Sequence, residues 1–146
     1  MNGRVAQVAN ATPRRILAGR LHRILSGRYA LLDFTGRMSG RRYVLPVAYV
    51  HAPDPHTLWV STDSRWWVNI GHGEPFEIVL RGTRHRAAAR LLDTVDAVPA
   101  LASLATVPGF ARAAGLRRED GAVPADELTR AAGERVVLAI RLGERA

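Results

Sequence analysis

Apolar residues recur along the middle of the chain in short runs, several of them alternating with polar residues as in half-buried strands. Each run is bounded by glycine, proline or small polar residues, which mark turns. The last apolar run lies apart from the others, close to the C-terminus. The segments that we predict as strands are Tyr29–Phe34, Tyr43–Val50, Thr57–Thr62, Phe76–Leu80, Arg84–Leu92 and Val136–Leu142.

Three further segments follow the helical period. Residues 12–26 form the first, with Thr12 as its N-cap, Pro13 in the first turn and Gly27 just beyond its end. Its apolar residues share one half of the helical wheel, which suits either packing on the domain or contact with a membrane surface. Two more helical stretches lie within 94–132, where Thr94 or Asp96 is the expected N-cap and Pro108 interrupts the pattern.

The order of these elements predicts a mainly β fold of the α+β class, in which about six antiparallel strands close into a small barrel. We expect a single domain over residues 1–146. Its parts are an N-terminal helix at 12–26, barrel strands over 29–92, helices over 94–132 and a closing strand at 136–142.

Charge changes this picture in the first third of the chain. All 21 basic residues are arginines, and the net charge is +8. Residues 1–50 hold nine arginines and a single acid, Asp33, whereas the rest of the chain is nearly balanced. A negatively charged partner should therefore meet this first third.

Cysteine is absent, which excludes disulfides, thiolate metal sites and cysteine nucleophiles. No apolar run reaches 18 residues, so we expect no membrane span, and the cytoplasm is the default location, with membrane association as an added option. The histidines lack metal-site spacing, and no phosphate-binding P-loop or dinucleotide-binding glycine motif occurs. No aromatic-rich RNA-binding motif is present, so nucleic acid is not an expected partner.

The first candidate site is the loop between the first two strands. Its glycines allow successive backbone N–H groups to converge on an anion, and its arginines present forked, permanently charged donors that suit phosphate. The alternative is a polar hairpin loop with solvated arginines. The candidate residues are Arg37, Met38, Ser39, Gly40, Arg41 and Arg42.

The second candidate site is the turn that contains Trp66, Trp67 and Asn69. Adjacent side chains diverge, so we expect one tryptophan in the core and the other free to stack on a planar ligand. Asn69 is placed either to bind a ligand carbonyl or to cap the turn.

Taken together, the two sites resemble the deazaflavin (coenzyme F-420)-dependent nitroreductase or quinone reductase family of actinobacteria. The likeness lies in Leu32–Leu92, through TGRMSGRRYVLPVAYV, LWVST, RWWVNI and FEIVLRG. It implies a split β-barrel in which the loop holds the phosphate of the coenzyme and the turn borders its ring. Arg37, Ser39 and Gly40 match the loop motif, Trp66 and Asn69 match the turn, and Pro46 matches the strand proline.

The sequence departs from that family where it often carries lysine, at Met38, and arginine, at Tyr43; Arg41 and Arg42 are the substitutes that this chain offers. No tyrosine follows Tyr49, so the tyrosine that nitroimidazole-reducing members use has no counterpart, and we assign no catalytic residue.

The resemblance implies an oxidoreductase that transfers a hydride from reduced F-420 to a flat electrophile such as a quinone, enone or nitroarene. The alternatives are a split barrel that binds FMN or haem, a degenerate family member without the coenzyme, and a basic anion- or membrane-binding module without catalysis. The expected partner is a small-molecule substrate. Peripheral membrane contact through residues 12–28 and a homodimer are both compatible with the sequence.

Overall fold

The computed structural model describes residues 28–146, and the predicted helix at 12–26 lies outside them. In the described part, all strands join one antiparallel sheet. They are β1 (Tyr29–Thr35), β2 (Arg42–Ala48), β3 (Val50–His51), β4 (Thr57–Thr62), β5 (Phe76–Leu80), β6 (Thr83–Leu91) and β7 (Val136–Arg145). Their order across the sheet is β2-β1-β5-β6-β7-β4-β3.

The two ends of this sheet are consecutive in the chain, because only Tyr49 separates β2 from β3. β2 pairs with β1 at one end, and β3 pairs with β4 at the other. The sheet therefore curls until β2 also contacts β4. The predicted antiparallel split barrel is confirmed.

Alternating burial explains why the strands are readable from the sequence. In β4 and β5 every second residue is buried, and Leu58, Val60 and Ile78 are fully enclosed by the barrel. β1 is different, because Leu31 and Leu32 are adjacent and both have no exposed surface. A strand that is buried on both faces shows a continuous apolar run instead of alternation.

The predicted strand at 43–50 is divided in two, which gives seven strands instead of about six. Beyond Ala48 the chain changes partners: the Tyr49 N–H donates to the Arg28 carbonyl at 3.2 Å, and Val50 lies opposite Trp59 of β4. The closing strand also runs further than predicted, to Arg145, because β6 continues to pair with it there.

Helices cover one outer face of the sheet. They are α1 (Thr94–Leu104), α2 (Phe110–Ala113) and α3 (Ala125–Glu134). Leu101 and Leu128 pack with Val137 of β7 in a second apolar cluster. The N-cap of α1 is Asp93, whose carboxylate accepts the Asp96 N–H at 2.8 Å, so the predicted cap at Thr94 or Asp96 was wrong.

The connection between β5 and β6 is a two-residue hairpin. Arg81 and Gly82 both have positive φ, 50° and 82°, as a type I′ turn requires.

No helix within residues 28–146 has the length and apolarity needed to cross a bilayer.

Candidate functional site

The loop between β1 and β2 is tied to the tryptophan turn, although the two lie about thirty residues apart in the sequence. The turn is a 3₁₀ helix, Arg65–Asn69, that follows β4. Asn69 Oδ1 accepts the backbone N–H of Arg37 at 2.8 Å, and Arg37 Nη1 donates to the Val68 carbonyl at 3.2 Å. Asn69 Nδ2 donates to the Trp66 carbonyl at 3.0 Å, which fixes the amide. The structure therefore joins the two candidate sites.

Hydrogen bonds within the loop use much of the predicted anion nest. The Gly36 N–H donates to the Arg41 carbonyl at 2.8 Å, and the Gly40 N–H donates to the Gly36 carbonyl at 3.0 Å. The Arg41 N–H donates to Ser39 Oγ at 3.1 Å. The Arg37 N–H is also used, because it donates to Asn69 Oδ1. The sequence-based prediction that successive N–H groups converge on an anion therefore overestimates the number of N–H groups that are available. Within residues 28–146, only the N–H groups of Met38 and Ser39 in the stretch 36–41 lack an acceptor.

Two of the three loop arginines are already paired with other groups of the protein. Arg42 forms a forked pair with Asp33, with distances of 2.9 Å and 2.6 Å. Arg37 donates a hydrogen bond to the 3₁₀ helix, and its Nε lies 4.0 Å from Glu74 Oε2. In the described part of the chain the guanidinium of Arg41 has no hydrogen-bond or ion-pair partner. Of the three arginines that were predicted to bind phosphate, one therefore has a guanidinium without a partner in the described residues. Ser39 lies two residues before Arg41, and within residues 28–146 the Ser39 hydroxyl donates to no acceptor.

Asp33 is the centre of a charge network that sequence reasoning missed. Its side chain is 10% exposed, and Arg84 Nη1 lies 2.8 Å from Asp33 and 2.9 Å from Glu77. Burial by itself raises the pKa of Asp33, but the hydrogen bonds and charges of Arg42 and Arg84 outweigh it and hold the pKa below its ordinary value. The available signal was the single acid of the first fifty residues, set in an apolar strand.

A groove of about 520 Å³ opens between the loop and the network. Phe34 and Phe76 of the barrel core border it with the small part of their surface that is exposed, 4% and 5%, and Asn69 also lines it. Its size is within the range of ligand pockets, which is about 300–1,000 Å³. The groove is lined by Asp33, Phe34, Thr35, Arg37, Arg42, Asn69, Glu74, Pro75, Phe76 and Glu77.

Both tryptophans of the turn pack against the barrel core, so the expected division into one core and one free tryptophan was wrong. Trp66 lies 6.1 Å from the Phe34 ring, between centroids, and Trp67 lies 5.8 Å from the His72 ring. The 3₁₀ helix turns both rings onto the core, and neither lines the groove. A Cβ at Gly71 would lie 2.6 Å from Trp67, so only glycine allows that packing.

The remaining predicted residues lie away from the groove. Pro46 is exposed on β2, an end strand of the sheet, opposite Leu31 of β1. Met38 is 98% exposed at the loop tip. Ser39, Gly40 and Arg41 belong to the loop but do not line the groove. Among residues 28–146, no group of histidine or acidic side chains is arranged to hold a metal ion.

No protein-family model matches the sequence, and no curated protein matches it. Solved structures, however, share its fold. A protein from Listeria innocua, named as a candidate pyridoxamine 5'-phosphate oxidase, superimposes with a TM-score of 0.56 at 11% identity, over 89% of this chain and 96% of that one.

Two further structures give a similar result. A candidate 5-nitroimidazole antibiotic resistance protein from Bacteroides thetaiotaomicron has a TM-score of 0.52 at 12% identity, over 86% of this chain and 80% of that one. An FAD- and heme-binding protein from Mycobacterium smegmatis has a TM-score of 0.50 at 18% identity, over 87% and 72%. At these identities the likeness establishes the split-barrel fold and leaves the cofactor to the residues of the site.

Proposed function

We propose that this protein binds a phosphate-bearing flavin-type cofactor at the joined loop and turn, and that the loaded protein acts as a reductase. The observation that carries the proposal is the hydrogen bond from the Arg37 N–H to Asn69, because both residues line the groove and this bond holds the basic loop beside it. The fold of an FAD- and heme-binding protein supports a flavin-type ligand.

The loop fits an anionic group on the cofactor. Within residues 28–146, the loop donors that have no acceptor are the N–H groups of Met38 and Ser39, the Ser39 hydroxyl and the Arg41 guanidinium. Backbone N–H groups and a guanidinium are the donors that proteins use for phosphate. Because the other loop arginines are already paired, Arg41 carries most of the charge that remains for the ligand.

The groove fits a flat ring better than it fits haem. Phe34 and Phe76 offer apolar contact, and Asn69 and the Thr35 hydroxyl offer polar groups at its edge. Haem iron needs an axial histidine, methionine, cysteine or tyrosine, and the groove-lining residues of the described chain include none of these. We therefore favour a flavin over haem.

When bound, a flavin-type cofactor supplies the hydride transfer. The residues of this chain would hold its phosphate at the loop and orient a flat electrophile, such as a quinone, enone or nitroarene, over the groove. Arg37 and Glu74 at the rim have side chains that are 52% and 37% exposed, so solvent reaches the groove and can deliver the proton.

An ordinary flavin mononucleotide and deazaflavin F-420 are the two members of this class that we consider. The loop Gly36–Gly40 and the turn Trp66–Asn69 favour F-420 through their resemblance to the deazaflavin-dependent reductases. The exposed methionine at position 38 stands where those reductases often carry lysine, and this departure from their pattern keeps FMN as the alternative. A homodimer and contact with a membrane stay predictions.

Parallel titrations test the proposal. Binding of FMN, riboflavin, F-420 and the phosphate-free chromophore of F-420 is followed by fluorescence, with haem binding followed by absorbance. We expect the phosphate-bearing form of one pair to bind at least about tenfold more tightly than its phosphate-free partner, about 1.4 kcal/mol. Arg41→Gln should remove that preference.

Arg112→Gln is the matched control, because Arg112 is an exposed arginine on α2, outside the groove. It should leave every affinity unchanged. Equal binding of the phosphate-bearing and phosphate-free forms to the unaltered protein would contradict the phosphate site. Failure of every flavin and deazaflavin to bind would contradict the proposed function as a whole.

A further inference from the structure

A second groove, of about 560 Å³, lies on the outer face of the strands β6, β7 and β4. Ala52 and Pro53, in the turn after β3, line it together with Gly73. Gly73 immediately precedes Glu74 of the first groove, so the loop that contains both residues borders both grooves. Neither the proposed cofactor nor its phosphate uses this second groove.

The strand register explains its shape. Arg90, Ala139 and Trp59 lie opposite one another in one row across three strands, and Ala88, Arg141 and Thr57 form the next row. Residues directly opposite in an antiparallel pair share a face of the sheet. The small side chains of the exposed Ala88 and the buried Ala139 lie between larger ones and form an apolar floor, with the half-buried Trp59 at one side.

The charge of the groove is positive. Arg90 and Arg141 line it, and Asp54 is the single acid among the lining residues. Asp54 lies 3.7 Å from Arg141 and also accepts the His56 N–H and the Thr57 hydroxyl, so its charge is balanced. Within residues 28–146 the Arg90 guanidinium has no hydrogen bond or ion pair. One unbalanced positive charge thus stands beside an apolar floor.

We propose that this groove binds a small, flat apolar molecule that carries one negative charge, such as an aromatic monocarboxylate. The ring would lie on Ala88 and Ala139 against Trp59, and the carboxylate would meet Arg90. A guanidinium pairs with a carboxylate through two parallel hydrogen bonds, which fixes the orientation of the ring as well as adding affinity. A single negative charge matches the one groove-lining guanidinium that has no partner within residues 28–146.

The probes are 2-naphthoate and its neutral analogue 2-naphthamide, and the readout is the set of indole N–H signals in the NMR spectrum of the full chain. The three tryptophans give three signals, of which Trp59→Phe identifies the one in this groove. We expect 2-naphthoate to shift the Trp59 signal and to bind at least about tenfold more tightly than the amide, about 1.4 kcal/mol.

Three variants locate the site. Arg90→Gln should weaken 2-naphthoate binding about tenfold and leave 2-naphthamide binding unchanged. Ala88→Leu should abolish binding of both probes by filling the floor, and because Ala88 is exposed the fold should persist, as the spectrum will show. Arg112→Gln on α2 is the control and should change nothing.

Equal affinity for the two probes would overturn the proposal, as would equal weakening by Arg90→Gln and Arg112→Gln. Shifts confined to Trp66 and Trp67 would also overturn it, because they would place the acid at the 3₁₀ helix and not in the second groove. Since the probes carry no phosphate and Arg41 is untouched, this outcome is independent of the cofactor titrations.

Discussion

Replacing Asn69 with alanine tests whether the loop and the turn form one unit. The change removes an acceptor for the Arg37 N–H, at 2.8 Å, and a donor to the Trp66 carbonyl, at 3.0 Å. A typical hydrogen bond contributes about 0.5–1.5 kcal/mol to stability. The Arg37 amide is exposed, so water replaces its partner at small cost, whereas the bond to Trp66 is partly buried. We expect a loss of about 1–2 kcal/mol in the free energy of unfolding.

Asn69→Asp separates the two bonds. The carboxylate keeps an acceptor for the Arg37 N–H but has no donor for the Trp66 carbonyl. We therefore expect the Asn69→Asp variant to keep the Arg37 amide protected against hydrogen exchange. The added negative charge also attracts the nearby Arg37 guanidinium. The alanine variant should lose this protection, so the pair of variants distinguishes the loop contact from the general stability of the turn.

Three measurements on the same samples decide the matter. Urea unfolding gives the free energy, hydrogen exchange gives the opening of the Arg37 amide, and fluorescence titration gives the affinity for FMN or F-420. We expect Asn69→Ala to accelerate hydrogen exchange of the Arg37 amide and to lower the affinity for the cofactor. Unchanged exchange and unchanged affinity, despite the expected loss of stability, would refute the argument that Asn69 positions the loop.

Two further predictions concern stability. A Cβ at Gly36 would lie 2.9 Å from the Tyr43 ring, so Gly36→Ala should lower the free energy of unfolding by about 1–3 kcal/mol in urea; Gly133→Ala, a helical position with open space around it, is the control and should not destabilise. The pKa of Glu127 falls from 4.5 to about 2, chiefly through its hydrogen bonds from Arg130, so its stabilisation is complete above about pH 4.5 and is lost as the pH falls through 2. Glu127→Gln should flatten acid unfolding in that range, and an unchanged pH profile would contradict it.

The barrel strands could be predicted because their burial is local and periodic. Thr57–Thr62 and Phe76–Leu80 begin and end where the pattern places them. The division of the predicted strand after Ala48 could not be predicted, because it depends on a change of partner strand at Tyr49. Apolar residues continue through that break, and periodicity carries no information about which strand lies alongside.

The tryptophan turn shows a different limit. The sequence pattern identified Trp66–Asn69 as a unit, but the direction of each ring depends on whether the turn is extended or helical. The 3₁₀ helix rotates both rings onto the core and leaves Asn69 to face the loop. Asn69, and not the pair of tryptophans, therefore makes the hydrogen bond that joins the turn to the loop.

Charge patterning predicted an anion site in the loop between β1 and β2, but it counted arginines that the fold pairs with other residues of the protein. A guanidinium matches a carboxylate with the same forked geometry that matches a phosphate, so an arginine in a sequence does not reveal which of the two it meets. Asp33 is the only acid in the first fifty residues, yet it forms ion pairs with both Arg42 and Arg84, which is distant in the sequence. If the proposed function holds, the loop binds its anion mainly through Arg41, which has no carboxylate partner within residues 28–146. Substitution of Arg41 is therefore the sharpest test of the proposed cofactor site.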